Sequence, residues 1–221
     1  MIDDSKYIIR KATLNDVDFL VTTIIEAEKS STNNLGLANY FEISEDELRH
    51  YLKAILEEEV DGCEMSVNSY IIAEYQGTVV SAKGGWMEGN NEDEQPSSIL
   101  KSNLISYYFP MDKISNAQKK WDIVKDIQIE REWGTYQFEY SYTIPEHRGH
   151  HLVPRINEMH IQQAIKLGAK KIQGHVFANN LKIIKAYERS GFRVVRSCTS
   201  NHPLTKEYYP DNTILLFEKE L

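Results

Sequence analysis

Residues 144–154 of the chain read Ile-Pro-Glu-His-Arg-Gly-His-His-Leu-Val-Pro. They follow a β-rich run, residues 135–144, and they lead into a helical pattern that stops near Gly168. A strand, a short basic loop and a helix N-terminus in this order predict an anion site, because free backbone N–H groups and the positive end of the helix dipole face the same point. Pro154 suits the first helical turn, where its missing donor has no partner to lose.

The chain downstream of this loop continues to alternate between strand and helix patterns. Residues 171–176 predict a strand, and residues 179–192 predict a helix that a glycine cap closes at Gly191. The helix carries Asn180 seven residues before Tyr187, and it ends Tyr-Glu-Arg-Ser-Gly-Phe. Residues 213–219 predict a final strand.

Together these segments resemble the GNAT superfamily of N-acetyltransferases. Residues 144–153 are similar to its pyrophosphate loop, in which arginine and glycine are followed by two more glycines at alternate positions. Arg148 and Gly149 match that pattern, whereas His151 and Val153 replace the later glycines. Residues 180–192 are similar to the family's later motif. The resemblance covers nearly the whole chain except residues 87–124.

The resemblance implies acetyl-CoA as cosubstrate and assigns roles to individual residues. Tyr187 takes the position of the acid that protonates the CoA sulfur, and tyrosine, with a reference pKa of about 10, is protonated at neutral pH. A packing role under the sheet is the alternative for this side chain. A backbone N–H beside Ile144 is expected to meet the developing oxyanion. The predicted cofactor-binding residues are Ile144, Arg148, Gly149, His150, His151, Leu152, Val153, Asn180 and Lys182.

Glu139 is the predicted general base. Strict alternation along residues 135–144 places Tyr136, Phe138, Tyr140 and Tyr142 on one face of the strand and Glu139 on the polar face. From there its carboxylate would take a proton from an amine, directly or through water. A cross-strand ion pair is the alternative role, and Glu130 and Glu132 are weaker candidates for the base.

The remaining patterns predict an α/β (α+β) fold of GNAT type, with a mixed, mainly antiparallel central sheet flanked by helices. Apolar residues recur at helical spacing over residues 17–25, and Ser44 with Glu47 forms a capping box that opens a second helix. Gln76 and Gly77 suit a tight hairpin connection. The other predicted strands are residues 7–12, 69–75, 78–86 and 126–132, the last turning at Trp133 and Gly134 into residues 135–144.

A helical insertion, residues 87–124, is expected between two strands. It begins with a polar, acidic stretch that contains Glu92, Asp93 and Glu94, and it continues into residues 98–110, which are rich in aromatics and predict a packed helix. Long ordered insertions are often lids or binding loops, although a simple packing role is equally compatible. The acidic stretch would attract a polyamine or a basic peptide, and the aromatic residues would hold a sugar ring or an aryl amine.

Composition narrows the class of protein. A chain of 221 residues that is 41% hydrophobic suits a single domain, residues 1–221, with no membrane-spanning run and no cleavable leader, so a cytoplasmic location is expected. The net charge of −8 argues against nucleic-acid binding. Cys63 and Cys198 are expected to be free thiols. A zinc cluster of His147, His150 and His151 is a distant alternative, so no metal is expected.

The expected function is therefore acetyl transfer from acetyl-CoA to an amine of a small molecule or peptide, by direct attack in a ternary complex. Exposed aromatic residues on the insertion would suit a homodimer contact. The alternative is a non-catalytic acyl-CoA-binding or regulatory domain of the same fold, which the two replaced loop glycines favour.

Overall fold

The computed structural model describes residues 2–30, 32–58, 60–89 and 95–221. The predicted acidic patch Glu92, Asp93 and Glu94 lies outside the described residues. The strands are β1 (Tyr7–Lys11), β2 (Tyr70–Tyr75), β3 (Thr78–Glu88), β4 (Thr135–Thr143), β5 (Lys171–Phe177), β6 (Arg193–Thr199) and β7 (Thr213–Glu220). The helices are α1 (Val17–Lys29), α2 (Gly36–Phe41), α3 (Glu45–Leu56), α4 (Ser97–Tyr108), α5 (Met111–Gln118), α6 (Trp121–Val124), α7 (Leu152–Lys166), α8 (Leu181–Arg189) and α9 (Thr205–Tyr208).

The strands form one sheet in the order β1-β2-β3-β4-β5-β7-β6. Neighbouring strands are antiparallel except for β4 and β5, which are parallel. The hairpin between β2 and β3 turns at Gln76 and Gly77, which both have positive φ, as a two-residue connection requires. The mixed, mainly antiparallel sheet confirms the predicted fold class.

Helices cover both faces of the sheet. On one face α1 buries Leu20, Ile24 and Ile25 completely, and each such side chain contributes about 1.5–3 kcal/mol. The predicted capping box starts α3 on the same face: Ser44 Oγ accepts from the Glu47 N–H, and the Glu47 carboxylate accepts from the Ser44 N–H. On the other face α7 packs over β2, β3 and β4, and α8 packs over the second half of the sheet.

Residues 126–132 do not form the predicted strand. Residues Lys125–Ile127 make a 3-10 turn, and residues 128–132 have no regular structure. β4 already has β3 on one edge and β5 on the other, so no position beside it is left for another strand. The segment instead directs Arg131 into the interior, where Nη2 lies 3.2 Å from Oε1 of Glu64. The helix predicted for residues 98–110 is confirmed as α4.

A bulge in β4 overturns the predicted aromatic face. Two adjacent residues of β3 pair with Glu139 and Ser141, which leaves Tyr140 as an extra residue with a φ of +36°. An extra residue reverses the facing of every side chain beyond it. Phe138 accordingly packs in the cluster under α8, whereas Tyr140 packs in the cluster under α1. The alternation predicted for residues 136–142 is therefore wrong beyond Glu139.

β4 and β5 separate soon after they meet. Their pairing ends at Phe138 and Gly174, although β4 continues to Thr143 and β5 to Phe177 and both strands are described in full. The bulge lies directly after this last pair and turns β4 away from its neighbour. A gap therefore opens between two parallel strands in the middle of the sheet.

Both cysteines are free thiols, as predicted: Cys63 is buried and Cys198 is partly exposed. Burial raises the pKa of the Cys63 thiol, so this side chain stays protonated. Across the part of the chain that the structure describes, no helix is long and apolar enough to cross a membrane.

Candidate active site

Tyr187 and Glu139 flank the start of the gap between β4 and β5 from opposite faces of the sheet. The Tyr187 hydroxyl rests on the backbone of Gly174, where an added Cβ would lie only 2.6 Å from it. Only glycine permits that approach. Glu139 follows the last paired residue of β4, Phe138, and faces the other side because successive side chains alternate. The fold thus places a phenol and a carboxylate on either side of one opening.

The Tyr187 ring is packed while its hydroxyl remains at the gap. Its centroid lies 4.8 Å from that of Phe192 and 5.2 Å from that of Phe217. The hydroxyl has no hydrogen-bond partner among the described residues. Burial raises the pKa of Tyr187, and the negative charge of Glu139 raises this pKa further. The phenol is therefore protonated at neutral pH and able to act as an acid.

Glu139 is only loosely held. Its Oε2 atom is buried without a hydrogen-bond partner in the described chain, and it lies 3.7 Å from both Arg131 Nη2 and His175 Nδ1. Both distances exceed that of a hydrogen bond. The alternative bases Glu130 and Glu132 are exposed. Of the carboxylates predicted from the sequence, Glu139 is the one at the gap, and its neighbour His175 was not predicted.

A buried ion cluster supports this side of the gap. Glu64 is 1% exposed, and its Oε1 atom lies 2.9 Å from Lys101 Nζ and 3.2 Å from Arg131 Nη2. Burial alone would raise the pKa of Glu64, but the charges of Arg131 and Lys101 outweigh it and hold the pKa at about 2. The cluster links the insertion, through Lys101, to the segment that precedes β4.

A second carboxylate lies on the same side. The Tyr140 hydroxyl donates to Oε1 of Glu28 at 2.6 Å, so the bulge in β4 connects the sheet to α1. Burial raises the pKa of Glu28, which the positive charge of Lys101 partly opposes. No cationic nitrogen lies within 4 Å of the Glu28 carboxylate in the described part of the chain. A partly buried carboxylate that lacks a cationic partner favours the binding of a positively charged group beside it.

The loop before α7 retains the backbone that an anion site needs. His151 has a φ of +54° and lies in the left-handed region, a conformation that glycine adopts most readily. The N–H groups of Leu152 and Val153 open the helix and have no preceding helical carbonyl. A Cβ built on Gly149 meets nothing within 4 Å. The loop therefore offers main-chain donors and open space for a diphosphate.

Two predicted loop residues have partners inside the protein. The Ile144 N–H donates to the carbonyl of Val80 at 3.0 Å, so this amide is not free to meet an oxyanion. The Arg148 Nε donates to the Thr143 carbonyl at 3.0 Å. The expectation of an oxyanion donor beside Ile144 stays a prediction.

The histidines of the loop contact the N-terminal segment. His150 Nδ1 lies 2.5 Å from Oδ1 of Asp4, and His147 Nδ1 lies 2.7 Å from the Tyr7 hydroxyl. Within the described ranges, no three or more His, Cys, Asp or Glu side chains are placed to share a metal ion. His150, a predicted cofactor-binding residue, thus contacts Asp4 in this structure.

The predicted residues of α8 differ in their positions. Asn180 caps the helix by accepting from the Ile183 N–H at 3.3 Å, and its Nδ2 donates to Ser30 Oγ at 2.9 Å. It thereby fixes the start of α8 to the end of α1. Lys182 is exposed.

Lys83 was not predicted from the sequence, although a lysine within an otherwise small and apolar strand is a recognisable signal. Its side chain is 3% exposed, and Nζ donates to Asn157 Oδ1 at 2.8 Å. The same nitrogen lies 3.8 Å above the centre of the Phe138 ring. Burial lowers the pKa of Lys83 to about 7, and the charge of Glu139 opposes this only in part.

Lys83→Met is expected to stabilise the protein. The folded pKa of about 7 is below the value of 10.5 for an exposed lysine, so the penalty for burying the charge is complete below pH 7 and disappears as the pH rises toward 10.5. The variant also loses the contacts of Lys83 with Asn157 and Phe138. The net increase in the free energy of unfolding is therefore expected to be about 1–2 kcal/mol near neutral pH. Urea denaturation between about pH 6 and pH 10 measures it, with exposed Lys166→Met as the control. A loss of stability across this range contradicts the prediction.

Comparison with known proteins identifies the fold. Neither a protein-family model nor a curated protein matches the sequence. A GCN5-related N-acetyltransferase from Kribbella flavida matches 99% of this chain and 100% of its own, at 14% identity and a TM-score of 0.54. A polyamine N-acetyltransferase from Drosophila melanogaster matches 97% and 100%, at 13% identity and a TM-score of 0.56. The putative acetyltransferase YncA from Salmonella typhimurium, solved with acetyl-CoA, matches 98% and 94%, at 12% identity and a TM-score of 0.54.

Each match extends over nearly the full length of this chain and of the matched protein. Together with the sheet order and the single parallel pair at its centre, they show that this chain has the fold of the GNAT N-acetyltransferases.

Proposed function

We propose that this protein transfers the acetyl group of acetyl-CoA to an amine within a ternary complex. The observation that carries the proposal is the position of Tyr187 and Glu139 on opposite faces of the gap between β4 and β5. An amine that enters from the α1 side meets a proton acceptor, and a thiolate that leaves on the α8 side meets a proton donor. The fold of the matched acetyltransferases supports the same reaction class.

The residues on each side of the gap have separate tasks. Acetyl-CoA supplies a thioester whose carbonyl carbon is attacked and whose sulfur departs. Main-chain N–H groups of residues 149–153 would hold its diphosphate at the positive end of α7. A group on the Glu139 side of the gap accepts the proton that the amine loses, and Tyr187 donates a proton to the sulfur. A main-chain N–H of β4 would stabilise the charge that develops on the carbonyl oxygen.

The acceptor that fits this site is a small cationic amine. Lys101 and Arg131 neutralise Glu64, whereas Glu28 has no cationic nitrogen within 4 Å in the described chain, and Glu139 has only Arg131, at 3.7 Å. A substrate with a second positive charge would place it at Glu28 and lower the pKa of that carboxyl. The Drosophila enzyme, which forms N-acetylagmatine, uses an amine of this type.

Binding and turnover together test the proposal. The purified protein is titrated with acetyl-CoA in a calorimeter, and thiol release is then followed with putrescine, agmatine, an aryl amine and a short peptide as acceptors. Acetyl-CoA binding with release for at least one amine supports acetyl transfer. The absence of acetyl-CoA binding contradicts it. Binding without release for every amine favours a non-catalytic acyl-CoA-binding protein instead.

Val153→Asp is expected to weaken acetyl-CoA binding without unfolding the protein. Val153 lies in the first turn of α7, where an aspartate stabilises the helix through its dipole but repels a diphosphate. A repulsion of about 1–3 kcal/mol at such a site raises the Kd of acetyl-CoA about 10- to 100-fold. Calorimetry gives the Kd, and thermal melting reports the fold. Lys166→Asp, at the opposite end of α7, is the matched control, and an unchanged Kd for Val153→Asp would place the cofactor elsewhere.

A further inference from the structure

We propose that His175 is the catalytic base that removes the proton from the acceptor amine, and that Glu139 is a positioning residue that orients its imidazole. This inference rests on the proposed acetyl transfer and names the proton acceptor within it. Sequence patterns alone did not single out His175.

His175 lies at the mouth of the gap. It is the first residue of β5 after the last pair that β5 forms with β4, just as Glu139 is the first residue of β4 after that pair. Alternation directs both side chains to the face opposite Tyr187, which is the face from which an amine would enter. The His175 side chain is 8% exposed, and its Nδ1 lies 3.7 Å from Glu139 Oε2. The two side chains therefore form a pair at the entrance.

The free nitrogen of this pair lacks a partner. His175 Nε2 is buried and has no hydrogen-bond partner in the described chain. Buried polar atoms are nearly always hydrogen-bonded, and the exceptions concentrate where a ligand or a reaction needs them. A carboxylate beside Nδ1 favours the tautomer with the proton on Nδ1, which leaves the lone pair of Nε2 as a proton acceptor. Such pairs are often longer than a hydrogen bond in a ligand-free site and shorten when the substrate binds.

The imidazole is a better base here than the carboxylate. Arg131 Nη2 lies 3.7 Å from the same Glu139 Oε2 atom that faces His175. That carboxylate oxygen therefore already faces two nitrogen groups, whereas His175 Nε2 has no hydrogen-bond partner in the described chain. Histidine is the side chain that most often acts as a general base in enzymes. Glu139 then holds the ring and stabilises the imidazolium that forms, as a buried carboxylate does for histidine in a hydrolase triad.

The protons and electron pairs balance. An alkylammonium acceptor loses one proton to His175 Nε2 and becomes a neutral amine. Its nitrogen lone pair forms the new N–C bond, and the pair of the C–S bond leaves with the sulfur. The nitrogen loses a second proton to solvent as the amide forms, and the sulfur gains one from Tyr187. Tyr187 then regains a proton from solvent and His175 Nε2 releases its proton to solvent, so the net products are amide, thiol and one proton.

The test compares an acceptor that must first lose an ammonium proton with one that is already largely neutral. His175→Gln keeps a side chain of similar size that cannot take up a proton at neutral pH. With putrescine, which is charged at neutral pH, kcat/KM is expected to fall about 100-fold. With hydroxylamine, which is largely neutral at that pH, the fall is expected to stay below about threefold, because no ammonium proton needs to be removed. Added imidazole is expected to restore part of the putrescine rate of His175→Ala.

The role of Glu139 as a positioning residue is tested separately, with the kinetics of two Glu139 variants. Glu139→Gln is expected to lower kcat for putrescine about tenfold and to leave the hydroxylamine rate nearly unchanged, and Glu139→Asp recovers part of the loss. Acetyl-CoA affinity and the melting temperature serve as fold controls for all variants.

Each outcome separates the inference from the function on which it rests. Equal losses with both nucleophiles, or wild-type rates for His175→Gln, overturn the role of His175 while acetyl transfer stands. If the wild-type protein releases no thiol with any acceptor, including hydroxylamine, the proposed function fails and the role of His175 fails with it.

Discussion

Replacing Tyr187 by phenylalanine is expected to lower kcat for acetyl transfer about 100- to 1000-fold, in the range typical of a lost general acid. Phenylalanine retains the ring contacts with Phe192 and Phe217 and removes only the hydroxyl at the gap. Without that proton donor the thiolate leaves as an anion in a buried site, which raises the barrier to C–S cleavage. Thiol release at saturating acetyl-CoA and amine measures the change in kcat.

Binding and stability separate chemistry from packing in the Tyr187→Phe variant. The Kd of acetyl-CoA and the melting temperature are expected to stay close to those of the wild type, because the ring is kept. Tyr107→Phe, an exposed tyrosine on α4, is the matched control and is expected to leave kcat unchanged. A wild-type kcat for Tyr187→Phe would show that the tyrosine acts in packing alone.

Replacing Glu64 by glutamine is expected to reduce the free energy of unfolding by about 3 kcal/mol near neutral pH. The reason is the ion cluster with Lys101 and Arg131, which lowers the pKa of Glu64 from 4.5 to about 2 in the folded protein. A carboxyl group with a lowered folded pKa stabilises fully above its unfolded value, and this contribution is lost as the pH falls from 4.5 toward 2. Glutamine keeps the shape but leaves two partly buried cations without the charge of Glu64.

The pH dependence makes this second prediction specific. Urea denaturation is expected to show the full difference between wild type and Glu64→Gln at neutral pH and a shrinking difference as the pH falls below 4.5. Glu57→Gln, an exposed carboxylate near the end of α3, is expected to change stability by less than about 0.5 kcal/mol. A difference that does not vary with pH would mean that Glu64 acts through its shape rather than its charge.

Local features of the fold could be predicted from the sequence because their causes are local. The hairpin at Gln76 and Gly77, the capping box of α3 and the helix cap at Gly191 each depend on a few adjacent residues. The loop before α7 belongs to the same class. His151 has a positive φ there, which the sequence pattern did not predict from its side chain.

Predictions that assumed regular strands failed where the chain departs from regularity. A prediction that assumes strict alternation of side chains along the strand misses the extra residue Tyr140. The predicted aromatic face was therefore correct only up to Phe138. Residues 126–132 have the composition of a strand, but both edges of β4 were already paired. Composition carries no information about which edges are free.

The sequence by itself predicted β1 to β5, β7 and the longer helices, but not β6, and it singled out the loop before α7 and Tyr187 as candidate site residues. The tertiary structure decided where β4 and β5 part, which residues face each other across that gap, and that Lys83 and Glu64 are buried. His175 and Glu139 are 36 positions apart in the chain and 3.7 Å apart in space. Turns and caps arise from interactions between near neighbours, whereas the groups that share a proton or an ion pair are brought together only when the sheet closes.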